Sequence, residues 1–144
     1  MAEAVPGLAV TTPKEFLTCC FEAARRTDGE VGNWWQPFDT YHVVAITYRD
    51  QRGTIAVLWA EMGDLALSRS PEPLPPVEFV DDVALMGVFA GLSSHYRVWR
   101  KDELERPFDP ALWPHLDPDV VRHYRPQRVG DALFNHWETQ LFGC

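Results

Sequence analysis

The spacing of apolar positions changes several times along the chain, and each change marks an element. Phe16, Leu17, Cys20, Phe21 and Ala24 recur at helical intervals. Thr12 suits an N-cap, Pro13 falls at the first helical position, and Glu15 stands where a capping box needs an acid. Arg25 and Arg26 end the stripe, where the helix dipole favours cations, and Gly29 suits the left-handed position beyond it. The pattern predicts a helix over 13–27. His42 to Tyr48 and Thr54 to Ala60 are β-branched runs joined by Asp50-Gln51-Arg52-Gly53, which predicts a hairpin. Leu65 to Ser68 reads as a third strand.

Gly32-Asn33-Trp34-Trp35-Gln36-Pro37 reads as a loop, because it shows no alternation and holds turn formers. Residues 70–77 carry four of the 12 prolines, a stiff extended connection. Beyond it, Glu78-Phe79-Val80 suggests a short strand, and Asp81 or Asp82 can cap a helix reaching Leu92. Gly87 and Gly91 in that helix are expected to let it lie close to the sheet. Tyr96 to Trp99 alternates like a strand. Asp109-Pro110 and Asp117-Pro118 each place a cap before a proline, predicting short helical turns near 110–115 and 118–124. A last helix is expected over 127–141, with Val129, Leu133, Phe134, Trp137 and Leu141 on one face. Arg128 and Asn135 on it invite hydrogen-bonded packing. Together these predict one α+β domain over 1–144. An N-terminal helix, a middle helix and a C-terminal helical segment pack on an antiparallel sheet of about four strands. Residues 1–11 form a loose lead-in.

Composition limits the function classes. By the scaling of surface with mass, a chain of 144 residues buries about 68% of its unfolded surface, enough for a core without staples. The net charge of −8 disfavours general binding to nucleic acid or to anionic membranes. There is no apolar run of transmembrane length and no basic region ahead of the first apolar stretch, so a cytoplasmic location is expected. Cys19 and Cys20 are adjacent, Cys144 is last, and three cysteines in that arrangement read as reduced thiols. The excess of Arg over Lys suits bidentate pairing with carboxylates, and GC-rich codon usage would give the same skew.

No spacing carries a familiar chemistry. His115, Asp117, His123, Asp131, His136 and Glu138 are metal-ligand types, but no His-x-x-x-His pair occurs among them. Ser68, Ser70, Ser93 and Ser94 lie in no nucleophile elbow, and Gly29-Glu30-Val31-Gly32 follows a helix and lacks the Lys-Ser/Thr of a phosphate loop. No catalytic residue, metal ligand or cofactor is therefore assigned.

Two features stand out. Residues 61–92 hold six acidic side chains against Arg69, a net of −5, so most of the charge lies in under a quarter of the chain. Glu72, Glu78, Asp81 and Asp82 belong to it. Either they present an acidic face to a basic protein partner, or they solvate a loop and a helix start. The other feature is Trp34-Trp35: both rings cannot easily point inward, so one is a candidate anchor for a partner, or a lid over the sheet. The leading expectation is a binding protein without catalysis, an immunity- or antitoxin-like inhibitor of a basic partner. The alternative is a small enzyme or ligand carrier. Its pocket would lie between the sheet and the C-terminal helices, lined by Trp59, Phe89, Trp99 and Trp137, with His95, His123, Asp131 and His136 as polar groups.

Overall fold

A computed structural model of the chain describes residues 12–38, 41–49, 53–60, 63–69, 77–114 and 116–134. Helix α1 (Pro13–Arg26) is followed by strands β1 (Gly29–Phe38), β2 (Tyr41–Tyr48), β3 (Thr54–Trp59) and β4 (Asp64–Ser68). Then come α2 (Val83–Leu92), β5 (Arg97–Val98), α3 (Lys101–Leu104), a 3-10 turn (Pro110–Leu112), α4 (Pro118–Tyr124) and α5 (Val129–Leu133). The strands form one sheet in the order β1-β2-β3-β4-β5. The first four are antiparallel to their neighbours, whereas β5 runs parallel to β4 through Asp64↔Arg97 and Leu65↔Val98. The architecture is α+β, with five strands where about four were expected.

Both faces of the sheet are covered, which explains why β2 and β3 read as nearly unbroken apolar runs. On one face α1 and α2 bury Phe16, Cys20, Leu85 and Phe89 against Val44, Ile46, Val57 and Trp59. On the other, Val43, Leu58 and Ala66 share a second core with Phe79, Trp99, Leu104 and Phe134. Phe21, expected on the buried stripe of α1, is exposed. Ala23 takes its place in the core.

Local chemistry sets most boundaries. Thr12 caps α1 by accepting from the Glu15 amide at 3.1 Å. At the other end Asp28, not Gly29, takes the left-handed conformation (φ 64°), and Gly29 already begins β1. Residues 32–37, expected as a loop, lie within β1. The expected strand at 78–80 is reduced to an isolated bridge, Ser68↔Phe79. Gly87 and Gly91 do not bring α2 close to the sheet, because the space where their side chains would be is open. Helix α3 has no counterpart among the expected elements. Of the helix expected over 127–141, Val129–Leu133 is helical and Phe134 is its C-cap. Residues 135–141 lie outside the described residues.

Arg128 and Gly130 tie the C-terminal segment to the sheet. The half-buried Arg128 guanidinium donates to Asp131 at 2.7 Å and to the Val77 carbonyl at 3.1 Å, and it lies over the Phe79 ring. A Cβ on Gly130 would stand 2.4 Å from Phe79 Cε2, inside a fully buried ring. Gly130→Ala is therefore expected to cost about 2–3 kcal/mol by overpacking, read as a lower urea midpoint with unchanged slope.

On the surface of α1, Glu22 is held by two cations: Arg25 at 2.6 Å and Arg26 at 2.6 Å. Hydrogen bonds from Arg25 and then Arg26 lower its carboxyl from the ordinary 4.5 to about 2. The folded value lies below the unfolded one, so the contribution is present above the ordinary carboxylate range and is lost as pH falls towards 2. An NMR titration should find Glu22 at about 2, and Glu22→Gln should lower the melting temperature at pH 6 but not at pH 2.

Candidate functional site

Among the described residues β1 is an edge strand, its register is irregular, and the irregularity decides where its tryptophans point. Val31 stands opposite Ile46, but Trp34 stands opposite Val44, so one extra residue is accommodated between them. Such a bulge turns the side chains that follow it to the other face, here Trp34 and Trp35, before the register shifts again between Trp35 and Phe38. Without it Trp34 would oppose Val43 and fall on the face of the second core. With it, Trp34 shares the α1 face with His42 and Val44, and Trp35 packs against the second core. Adjacent strand residues point to opposite faces, which is how two neighbouring indoles are accommodated.

On the α1 face the rings form a row from core to solvent. Phe16 stacks on Trp59 at 5.0 Å between centroids, Trp59 meets the His42 ring at 5.1 Å, and His42 stacks with Trp34 at 6.3 Å. The His42 residue is 4% exposed, while Trp34 is 43% exposed. A cleft of about 320 Å³ opens there, lined by Pro13, Trp34, Trp35, Gln36 and His42. Its walls are mostly apolar, with an imidazole and an amide as the polar groups. This is the size and chemistry of a site for a large apolar or aromatic side chain or a small planar ligand. At the Gly29 end of the same strand, Arg49 reaches both Asp28 (3.3 Å) and Glu30 (3.7 Å), so two carboxylates share one cation.

The acidic residues singled out from the sequence are spread over structural tasks. Asp82 caps α2 by accepting from the Leu85 amide, and Asp81 accepts from the Lys101 amide at 2.8 Å. Glu78 pairs with Arg69 on the exposed surface, and Asp64 accepts from the Trp99 indole at 2.8 Å. Glu72 lies outside the described residues. Trp34 and Trp35 line one cleft, and the described acidic residues do not line it.

The residues expected to form an enzyme-like pocket are separated. Trp59 and Phe89 lie in the core beneath α1 and α2, whereas Trp99 lies beyond the sheet in the second core. His95 and His123 are exposed, and Asp131 is held by Arg128. Trp137 and His136 lie outside the described residues. Among the described residues no three His, Cys, Asp or Glu side chains converge as a metal site would need. Burial pushes the Cys20 thiol well above its usual range, which makes it a small core hydrophobe. No helix among the described residues is long and apolar enough to cross a membrane.

Sequence reasoning finds the two tryptophans but not Pro13, Gln36 or His42 as their companions. Period-two spacing places His42 on the face of Val44 and Ile46, and that signal is present in the sequence. The meeting of Pro13 with the β1 edge depends on how α1 crosses the sheet. Comparison with protein-family models, with curated proteins and with solved structures finds no match.

Proposed function

We propose that this chain is a binding protein for a basic protein partner, an inhibitor of the immunity or antitoxin kind, and that it grips the partner through the Trp34 cleft. The observation that carries the reading is the half-exposed Trp34 ring, held over a ligand-sized cleft by a row of buried aromatics. A rigid, partly exposed indole at the rim of an apolar cleft is the kind of group that anchors protein interfaces. The charge of −8 selects the sign of the partner and speeds encounter.

Reversing Asp81 or Asp82 would test the fold rather than binding, because those carboxylates hold Lys101 and the start of α2. Glu30 and Glu78 have only exposed ion pairs, so they are the suitable positions. The tagged chain should retain a basic protein from an extract of its host at low salt. Retention should fall several-fold with Glu30→Lys plus Glu78→Lys and between about 50 and 300 mM salt. Retention indifferent to both changes would sink the electrostatic part of the reading.

One observation favours a second reading, a small-molecule carrier or enzyme: the cleft volume of about 320 Å³ beside an imidazole. A melting-temperature screen of planar aromatic compounds separates the two. A rise that Trp34→Ala abolishes supports the carrier.

A further inference from the structure

Two of the exposed large apolar side chains stand at the ends of one surface. Phe21, on α1, is 57% exposed, and Trp34, on β1, is 43% exposed. Pro13, Leu17 and Phe21 follow one another at intervals of four along α1, so they form one row on its surface. The row begins at the cleft, where Pro13 stands with Trp34. Leu17, in its middle, is half-buried against the core beneath α1, as is Val31 of β1. Phe21 ends the row, about 12 Å from Pro13 along the helix axis. Ala23 fills the core where Phe21 was expected, so an aromatic ring is left on the surface two turns from the cleft.

We infer that the basic partner seats an amphipathic helix along this row, with one apolar or aromatic side chain in the cleft beside Trp34 and another against Phe21. The inference rests on the partner-binding reading above and extends the contact from the cleft onto α1. Residues four apart make a ridge, and such a ridge packs into the groove between like ridges of another helix. A helix also arrives with its main-chain hydrogen bonds already made, so side-chain contacts along the row are enough to hold it. About eight residues of helix span the same 12 Å, so apolar anchors two turns apart match the cleft and Phe21. Charge sets the helix's other face. The chain carries −8, so a partner of its own sign, a second copy included, is repelled. Beside the row, Glu22 already holds two cations, Arg25 and Arg26, and Lys14 adds another positive charge. The partner's basic residues therefore face away from α1, and the contact along the row is apolar.

The probe is a library of random hexadecapeptides displayed on phage and selected against the full chain. The enriched peptides are expected to repeat apolar residues at helical intervals, to carry Lys or Arg on the remaining face, and to gain helical circular dichroism on binding. Proline at an outward position of a synthetic copy should weaken binding about tenfold or more. Phe21→Gln in the chain should do the same, with the melting temperature held within a few degrees because the ring is on the surface. Val83→Gln, at another exposed apolar side chain, should leave the affinity unchanged. Peptides without helical spacing, helices with an acidic face, or binding that survives Phe21→Gln overturn the inference. If such peptides still lose affinity on Trp34→Ala, the cleft reading stands and only the helix along α1 is lost. Affinity indifferent to both substitutions removes both. No enriched peptide, or self-association of the chain that Phe21→Gln abolishes, also overturns it.

Discussion

Gly63→Ala is expected to destabilise the fold even more than Gly130→Ala. Gly63 has φ +112°, a conformation that L side chains rarely adopt, and a Cβ there would stand 2.5 Å from the His95 backbone oxygen. Its own carbonyl accepts from the Arg97 amide at 2.9 Å, and its amide donates to the Ala60 carbonyl at 2.8 Å. The obstacle is backbone, so no rotamer change relieves it. The segment leading to β5 must move, and the parallel pairing of β5 with β4 depends on that segment. Backbone strain of about 1–3 kcal/mol and overpacking of similar size add to about 3–5 kcal/mol. That is a large share of the roughly 5–15 kcal/mol typical of a domain. The melting temperature should fall by about 10 °C or more. A shift within two degrees would mean that the 93–96 segment gives way freely.

Much of this architecture is legible in the sequence, and the reason is local chemistry. Thr12, Pro13 and Glu15 mark the start of α1 by capping alone, and Asp82, Asp109 and Asp117 mark three later starts in the same way. The β2–β3 hairpin is legible because two β-branched runs flank a short turn. β1 is hidden by Gly32, Asn33 and Pro37, which read as loop formers. In an edge strand glycine and proline are tolerated, and a bulge absorbs the broken alternation. Asp81 reads as part of a charged face, but its acceptor role depends on Lys101, 20 residues on, which no local pattern announces. The expected pocket fails for a related reason. Trp59 and Trp99 are both strand-like in sequence and buried, but which side of the sheet each faces depends on pairing register and on the crossover to β5.

Trp34→Ala is expected to remove most of the affinity for the partner while leaving the fold in place. The ring is half-exposed at the end of an aromatic row, and the residues beneath it, His42 and Trp59, keep their own contacts when it is gone. Loss of a central interface tryptophan costs about 2–4 kcal/mol, or roughly 30- to 1,000-fold in affinity. Trp35→Ala should behave in the opposite way, lowering stability through the second core with a smaller effect on binding. The most direct test is titration calorimetry of the captured partner against the wild-type chain and the Trp34→Ala chain, alongside their melting curves. The expected result is a loss of at least about 30-fold in affinity with the melting temperature held within a few degrees. Full affinity in the Trp34→Ala chain would show that the partner binds elsewhere.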